Sequence, residues 1–189
     1  MKKIKSLFKR DYQGTRQVYD EVLEGSEWVT EGKGIATEKI DGTSCMVRDG
    51  KLYKRYDVKK GKTPPEGWEA CEPEPNEQTG HWPGWLPVGD GAEDKWHREA
   101  FSENVFNDGT FELVGPKIQG NPYNYAVHHL IRHGIDYLPD APRDFDGIKK
   151  YLTTHHIEGI VWHNGYGDMV KIKARDFGIP WGKDGKGVK

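Results

Sequence analysis

Apolar residues follow two different spacings along this chain of 189 residues. Between residues 15 and 24, Val18, Val22 and Leu23 recur at helical spacing, which predicts a helix within a helical lead-in over residues 1–33. By the same criterion, three further helices are predicted, over residues 93–104, 123–133 and 144–153.

Residues 34–58 are instead rich in alternating and β-branched residues, interrupted by Asp41-Gly42 and by Asp49-Gly50. The second Asp-Gly suits a type I′ turn and predicts a hairpin. Lys39 would then lie at the end of a strand, just before the turn at Asp41-Gly42. Three more strands are predicted, over residues 110–114, 159–163 and 169–173.

Residues 59–92 are rich in proline, glycine and tryptophan and are predicted to be irregular. Within them, residues 81–85 fit either an ordered flap over a ligand or a loop held by its own aromatic side chains. Together these elements predict an α+β fold, with antiparallel sheets, flanking helices and a single domain over residues 1–189.

Composition limits the function classes only weakly. The formal net charge is −2, so overall charge does not predict a nucleic-acid-binding protein, although a local basic groove remains compatible with it. Cys45 and Cys71 lack the spacing of metal ligands. No apolar run is long enough for a signal peptide or a bilayer span. We therefore expect a cytoplasmic protein without membrane contacts.

Four short segments carry charged residues on an apolar background. Burying such charges is costly unless each meets a partner, and a charged ligand where the segments converge would supply one. In chain order they are Lys39-Ile40-Asp41-Gly42, Phe111-Glu112-Leu113-Val114-Gly115, Glu158-Gly159-Ile160-Val161-Trp162 and Met169-Val170-Lys171-Ile172-Lys173.

The lysines of these segments suit chemistry at a phosphate. Lys39 can act as a nucleophile only when unprotonated, and neighbouring cations and partial burial lower a lysine pKa. Lys171 and Lys173 alternate with Ile172, so both point to one face of their strand. Such a pair can hold a phosphate and stabilise charge during transfer. Taken alone, the pair is more typical of an exposed strand face.

The remaining candidates are oxygen donors and one arginine. Of Glu112 and Glu158, one can hold ribose hydroxyls and the other can hold Mg²⁺. Arg55, on the second arm of the predicted hairpin, can reach a phosphate or a terminal ribose, although neighbouring lysines also make it part of a general basic patch. His129 and His133 lie four apart on a predicted helix, as zinc ligands can, but no third ligand follows from the spacing.

The order of these four segments resembles the covalent nucleotidyltransferases, which include ATP-dependent RNA and DNA ligases and mRNA capping enzymes. Within that group the chain is similar to ATP-dependent RNA ligases, and in particular to a small 5′-to-3′ RNA ligase family with vertebrate members. The resemblance spans residues 34–182 and is carried further by residues 38–45, 54–57, 115–122 and 175–178.

This resemblance implies an adenylyltransferase domain around a nucleotide cleft. DNA ligases and capping enzymes usually append an oligonucleotide-binding barrel, and here we expect none, because no chain follows residue 189 to form one. It implies ATP as substrate, Mg²⁺ or alternatively Mn²⁺, and the joining of RNA 5′-phosphate and 3′-hydroxyl ends. Separately, we expect a monomer. By the same resemblance, Lys39 becomes adenylylated and passes AMP to the RNA 5′-phosphate. A 3′-hydroxyl then displaces AMP.

The resemblance also implies a role for each site residue. Glu38 would lie near the adenine, Asp41 and Glu112 near the ribose, and Lys171 and Lys173 near the α-phosphate. Glu158 would serve the metal or the transfer step. The nucleotide site would also include Ile40, Gly42 and Arg55. The aromatic residue that stacks on the base stays open, with three candidates: Tyr123, Tyr125 and His128.

Two other functions remain compatible with the sequence. A capping-type guanylyltransferase would use GTP in place of ATP at the same lysine. A catalytically silent RNA-end-binding module would bind RNA without forming a lysine adduct.

Overall fold

The computed structural model of the protein describes residues 3–77, 79–102 and 104–182. The described chain divides into two compact units, one of residue 3 with residues 42–133 and the other of residues 4–41 with residues 134–182. Both units are built mainly from antiparallel strands with few helices, so the α+β class is confirmed. A single adenylyltransferase domain over residues 1–189 stays a prediction, and residues 1, 2 and 183–189 lie outside the described part.

The described strands are, in chain order, β1 Lys5–Ser6, β2 Phe8–Arg10, β3 Val18–Val22, β4 Ile35–Lys39, β5 Thr43–Arg48, β6 Lys51–Val58, β7 Glu69–Ala70, β8 Trp82–Pro87, β9 Gly109–Val114, β10 His129–Arg132, β11 Gly159–His163 and β12 Met169–Lys173. The α-helices are α1 Glu27–Thr30, α2 Lys95–Ser102 and α3 Phe145–His155. Two 3₁₀ helices follow Gly91 and Lys173, at Ala92–Asp94 and Ala174–Phe177.

One unit contains a six-stranded antiparallel sheet with strand order β10-β9-β5-β6-β8-β7. The predicted hairpin is confirmed, because Asp49 and Gly50 both have positive φ, 51° and 69°, as a type I′ turn requires. The core against α2 is apolar and consists of Cys45, Val47, Leu52, Ala100, Phe111, Leu113 and Leu130.

The opposite face of this sheet carries both polar and apolar side chains. Because side chains alternate along a strand, Glu112 points away from the face that buries Phe111 and Leu113. Ser44 is its direct neighbour across β5 and β9. On the next strand, β6, Arg55 lies opposite Trp85 of β8, with its guanidinium 5.7 Å from the tryptophan ring.

The other unit contains a four-stranded sheet with order β1-β12-β11-β4, in which the β1–β12 pair is parallel and the other two pairs are antiparallel. Helix α3 begins at the cap Asp144, whose side chain accepts a hydrogen bond from the Gly147 N–H. Its apolar residues Ile148 and Leu152 are buried. Among the described residues, no helix is long and apolar enough to cross a bilayer.

The helix predicted over residues 15–24 is wrong. Val18–Val22 forms strand β3, paired with β2 through Phe8 opposite Val22 and Arg10 opposite Val18. Val18 and Val22 are four residues apart, a spacing that places two side chains on one face of a strand as well as of a helix. The only α-helix among residues 3–33 is the four-residue α1, so the helical lead-in is also wrong.

Two further predictions need correction. No helix lies in the described residues 123–133, where His129–Arg132 forms β10 and pairs with β9. Residues 59–92 are not irregular throughout, because Trp82–Pro87 forms β8 between β6 and β7. Residues 81–85 therefore belong mostly to a strand rather than to a flap or a loop. The helices predicted over residues 93–104 and 144–153 are confirmed as α2 and α3.

Candidate active site

One face of the four-stranded sheet carries three of the predicted lysines. Residues directly opposite each other on paired strands project to the same face. Gly159 lies opposite Lys39 on one side and opposite Lys173 on the other, and Val161, two residues along, lies opposite Lys171. Strand register therefore brings Lys39, Lys171 and Lys173 together on one face, as predicted for the last two.

Gly159 makes this arrangement possible. A Cβ atom at this position would lie 2.2 Å from the Ile172 carbonyl oxygen and 2.9 Å from the Lys173 Cα, both closer than real Cβ contacts. Only glycine therefore permits the observed approach of β11 and β12. The row that contains Lys39 and Lys173 consequently has no side chain at its centre.

The Lys39 amine is paired rather than solvated. Its Nζ donates a hydrogen bond to Glu158 Oε2 at 2.6 Å and a longer one to the Ile40 carbonyl at 3.4 Å. The two paired side chains are 21% and 9% exposed. The Glu158 carbonyl accepts from the Ala174 N–H at 2.8 Å, which fixes the glutamate backbone beside β12.

Burial shifts the pKa values of two groups in this cluster towards neutral pH, one upwards and one downwards. Burial raises the pKa of Glu158 to about 7, against the influence of Lys39. Burial, together with the positive charges of Lys39 and Lys173, lowers the pKa of Lys171 to about 8. The cluster can therefore gain or lose protons close to physiological pH, which is typical of catalytic sites.

We expect the stability difference between Glu158→Gln and the wild type to depend on pH. The folded-state pKa of Glu158 is raised, so its ionisation penalises folding as the pH rises from 4.5 to about 7. Glutamine is neutral throughout. Relative to the wild type, the free energy of unfolding of the variant should therefore rise by up to about 3 kcal/mol across this interval. Above about pH 7 the difference should not grow further.

Chemical denaturation at pH 4.5, 6 and 8 measures this difference, with the exposed Glu24→Gln as the matched control. A stability difference between variant and wild type that is constant over the three pH values would show that the folded-state pKa of Glu158 is not raised.

Asp176 supports Lys173 and was missed in the sequence. Its Oδ2 accepts from the Lys173 N–H at 2.9 Å, and its Oδ1 is bonded by the Arg10 guanidinium. Asp176 is only 4% exposed, so this carboxylate joins β2 to the end of β12 in the interior. The available signal was its place in residues 175–178, directly after the Lys171–Lys173 pair.

Asp176→Ala should destabilise the protein by about 3 kcal/mol, because it leaves the Arg10 guanidinium partly buried without its carboxylate. Urea denaturation followed by circular dichroism measures the change. Asp20→Ala, at an exposed position, is the control and should stay within about 0.5 kcal/mol of the wild type. An Asp176→Ala protein as stable as the control would show that the pair is not a structural support.

Asp41 is held by a tryptophan that the sequence did not indicate. The indole N–H of Trp181 donates to Asp41 Oδ2 at 2.9 Å, and Arg175 donates to the Trp181 carbonyl at 2.8 Å. Asp41 also raises the pKa of Glu158 through its charge, so the two carboxylates lie close enough to interact. The segment after β12 thus returns to the Lys39-Ile40-Asp41 turn.

The other predicted residues lie elsewhere. Glu38 lies opposite Ile160 and so projects from the opposite face of the sheet to Lys39, while its backbone N–H bonds the Asp136 carbonyl. Ile40 directly follows β4. In the six-stranded unit, a Cβ on Gly42 would lie 2.2 Å from the Leu113 carbonyl oxygen, so glycine is required there as well.

Glu112 and Arg55 belong to the six-stranded unit. Glu112 Oε2 lies 2.7 Å from His133 Nε2, a pairing that the sequence did not indicate. Arg55 donates to Asp57 Oδ1 at 2.8 Å and lies 3.6 Å from Cys71 Sγ. The assignment of Glu112, Arg55 and Gly42 to the nucleotide stays a prediction.

The histidines differ from the sequence expectations. His128 is 2% exposed and stacks on Trp96 with a 4.5 Å ring separation, so it cannot stack on a base. Tyr123 and Tyr125 are half-buried and stay open as candidates. His129 and His133 are not on a helix, which removes the basis for a zinc pair. In the described part of the chain, no group of three or more His, Cys, Asp or Glu side chains could hold a metal ion.

Comparison with known proteins agrees with the motifs. The RNA ligase 1 family model matches residues 100–188, which include Glu112, Glu158 and both later lysines. The chain is 27% identical to RNA ligase 1 of Rattus norvegicus, over 78% of this chain and 68% of the relative. It is 28% identical to RNA ligase 1 of Danio rerio, over 77% and 68%. The resemblance of this chain to an RNA ligase family with vertebrate members is thereby confirmed.

Proposed function

We propose that this protein is an ATP-dependent RNA ligase that carries AMP on Lys39. The observation that carries the proposal is the paired Lys39 amine, 2.6 Å from Glu158 and on one sheet face with Lys171 and Lys173. The similarity to proteins named RNA ligase 1 supplies the substrate class. We propose accordingly that the chain has an adenylyltransferase fold.

The first step needs an unprotonated amine at Lys39. Glu158, with a pKa near 7, accepts a hydrogen bond from that amine and can take up its proton. The Lys39 nitrogen then attacks the α-phosphorus of ATP. A nitrogen–phosphorus bond forms, the bond from that phosphorus to the bridging oxygen breaks, and the electron pair leaves with pyrophosphate.

Lys171 and Lys173 serve this step by charge. Both lie on the face that carries Lys39, and their ammonium groups can hold the α-phosphate oxygens where negative charge develops. Because Gly159 lies between Lys39 and Lys173 in the row, a phosphate can lie over the strand without meeting a side chain.

The residues present fit a magnesium ion, with manganese as an alternative. Mg²⁺ in nucleotide sites is usually held by one or two carboxylates together with substrate phosphates and water. Glu158, with Asp41 nearby, offers such oxygen donors. When bound, the ion would neutralise phosphate charge and stabilise the leaving pyrophosphate.

The later steps use an RNA with a 5′-phosphate and a 3′-hydroxyl. A 5′-phosphate oxygen attacks the adenylylated Lys39 at phosphorus, so the nitrogen–phosphorus bond breaks and AMP passes to the RNA end. The 3′-hydroxyl then attacks the RNA 5′-phosphorus, a phosphodiester forms and AMP leaves. In this proposal Glu38 contacts the adenine, Asp41 and Glu112 the ribose, and Arg55 a phosphate or ribose, in a monomer.

The test uses the wild-type chain with ATP labelled at the α-phosphate and Mg²⁺, followed by a denaturing gel. A labelled protein band is expected, and adding 5′-phosphorylated RNA should discharge the label. Label from GTP rather than ATP would identify a guanylyltransferase. RNA binding without any labelled band would identify a silent binding module, and either result would overturn the proposal.

A further inference from the structure

Glu112 and His133 form a pair that the proposed reaction leaves unexplained. His133 Nε2 lies 2.7 Å from Glu112 Oε2, and Glu112 is only 8% exposed. His133 follows β10, and its backbone N–H donates to the Thr110 carbonyl at 3.0 Å. Because Thr110 and Glu112 are two apart on β9, the histidine stands on the same face of the sheet as the carboxylate.

The polar groups around Glu112 have unused hydrogen-bonding capacity. Among the described residues, the buried His133 Nδ1 has no hydrogen-bond partner, and neither has the buried Ser44 Oγ, from the residue directly opposite Glu112. Buried polar atoms without partners are rare in folded proteins. The Ser44 hydroxyl beside the carboxylate is therefore placed to meet a ligand that carries hydroxyl groups.

The histidine contact fixes the direction of the carboxylate. With Oε2 held by the Nε2 donor, the plane of the carboxylate and the position of Oε1 are set. A glutamate without this contact is free to sample several rotamers, and holding it during binding then costs conformational entropy. The pair therefore prepares Oε1 as an acceptor for one hydroxyl group.

We propose that His133 is a positioning residue that aligns Glu112 with the ribose of the nucleotide and so sets a preference for ATP over 2′-deoxy-ATP. This inference rests on the proposed function, in which Glu112 contacts the ribose. His133 touches neither ATP nor the reacting phosphorus, and it acts only through the glutamate.

The test uses two amide substitutions of His133 whose side-chain nitrogens lie at different positions. The side-chain nitrogen of glutamine can occupy the position of histidine Nε2, whereas that of asparagine overlays Nδ1 and falls short of Glu112. Rates of Lys39 labelling are measured with ATP and with 2′-deoxy-ATP for the wild type, His133→Asn and His133→Gln. His129→Asn is the matched control, since His129 lies on β10 and its ring contacts Tyr125.

The ratio of kcat/KM for ATP to kcat/KM for 2′-deoxy-ATP should fall at least about fivefold in His133→Asn, as expected when one hydrogen bond to a charged group is lost. The fall should arise mainly from a higher KM for ATP. His133→Gln and His129→Asn should keep the wild-type ratio. On a Glu112→Ala background, His133→Asn should change the ratio no further. If His133→Asn fails to fold, His133→Leu, which has no donor, takes its place.

The outcomes separate this inference from the proposed function. A wild-type chain that forms no labelled lysine overturns both. A labelled chain that does not discriminate between the two nucleotides, or whose ratio is the same in His133→Asn, overturns the role of His133 and leaves the ligase proposal intact. An equal fall with His133→Gln would also overturn it, because restoring the donor would then have no effect.

Discussion

Lys39→Arg should lose the labelled protein band that the wild type forms with ATP, a fall of at least about a thousandfold. Arginine keeps the length and the positive charge of lysine and can still pair with Glu158. Its guanidinium does not lose a proton in proteins, so no nucleophilic nitrogen is available to attack phosphorus. The measurement is the amount of acid-precipitated label per mole of protein after single-turnover incubation.

Lys33→Arg is the matched control for this experiment. Lys33 is 68% exposed and pairs with Glu31 near the surface, so the same chemical change there should leave labelling intact. Label retained by the Lys39→Arg protein would assign the adduct to another residue. Loss of label in both variants would indicate a general loss of folding, which thermal melting would reveal.

Lys171→Met should change stability and activity in opposite directions. Burial and two neighbouring cations lower the pKa of Lys171 from 10.5 to about 8. Because the folded-state pKa is lowered, the charged lysine penalises folding below pH 8, and the penalty disappears only as the pH rises through 10.5. Methionine carries no charge, so at pH 7 the variant should be more stable by about 1–3 kcal/mol.

Lysine labelling by the same variant should fall about a hundredfold, because one of two cations at the α-phosphate is lost. Lys149→Met, at an exposed position on α3, controls for the chemical change and should affect neither quantity strongly. Urea denaturation and single-turnover labelling at pH 7 measure the two effects. A less stable Lys171→Met protein with normal labelling would show that the lysine supports the fold rather than the reaction.

Features determined by neighbouring residues were predictable from the sequence. The turn at Asp49-Gly50 was predicted because two successive residues with positive φ favour that dipeptide. The shared face of Lys171 and Lys173 follows from alternation along one strand. Helix α3 was predicted because Ile148 and Leu152 are spaced for one buried helical face.

Features determined by distant partners were not predictable in this way. Strand β3 forms because Val18 and Val22 pair with β2, and a spacing of four residues does not distinguish this from a helix. His133 reaches Glu112 across 21 residues, and Trp181 reaches Asp41 across 140. Such contacts depend on strand register and on chain return, which a single sequence does not display. The pairing of Lys39 with Glu158 across 119 residues was not predicted either, because the resemblance to known ligases gave Glu158 only a metal or transfer role.

Gly159 leaves the row between Lys39 and Lys173 without a central side chain, and this restricts which substitutions the sheet face can accept. Any substitution adds a Cβ atom that must push β12 away from β11, and with it Lys171 and Lys173. Variants with altered nucleotide preference are therefore expected at the margins of the sheet and not at its middle. A library that randomises Gly159 should return glycine alone among folded, active clones, whereas Ile35, which is 58% exposed on the edge strand β4, should accept several replacements.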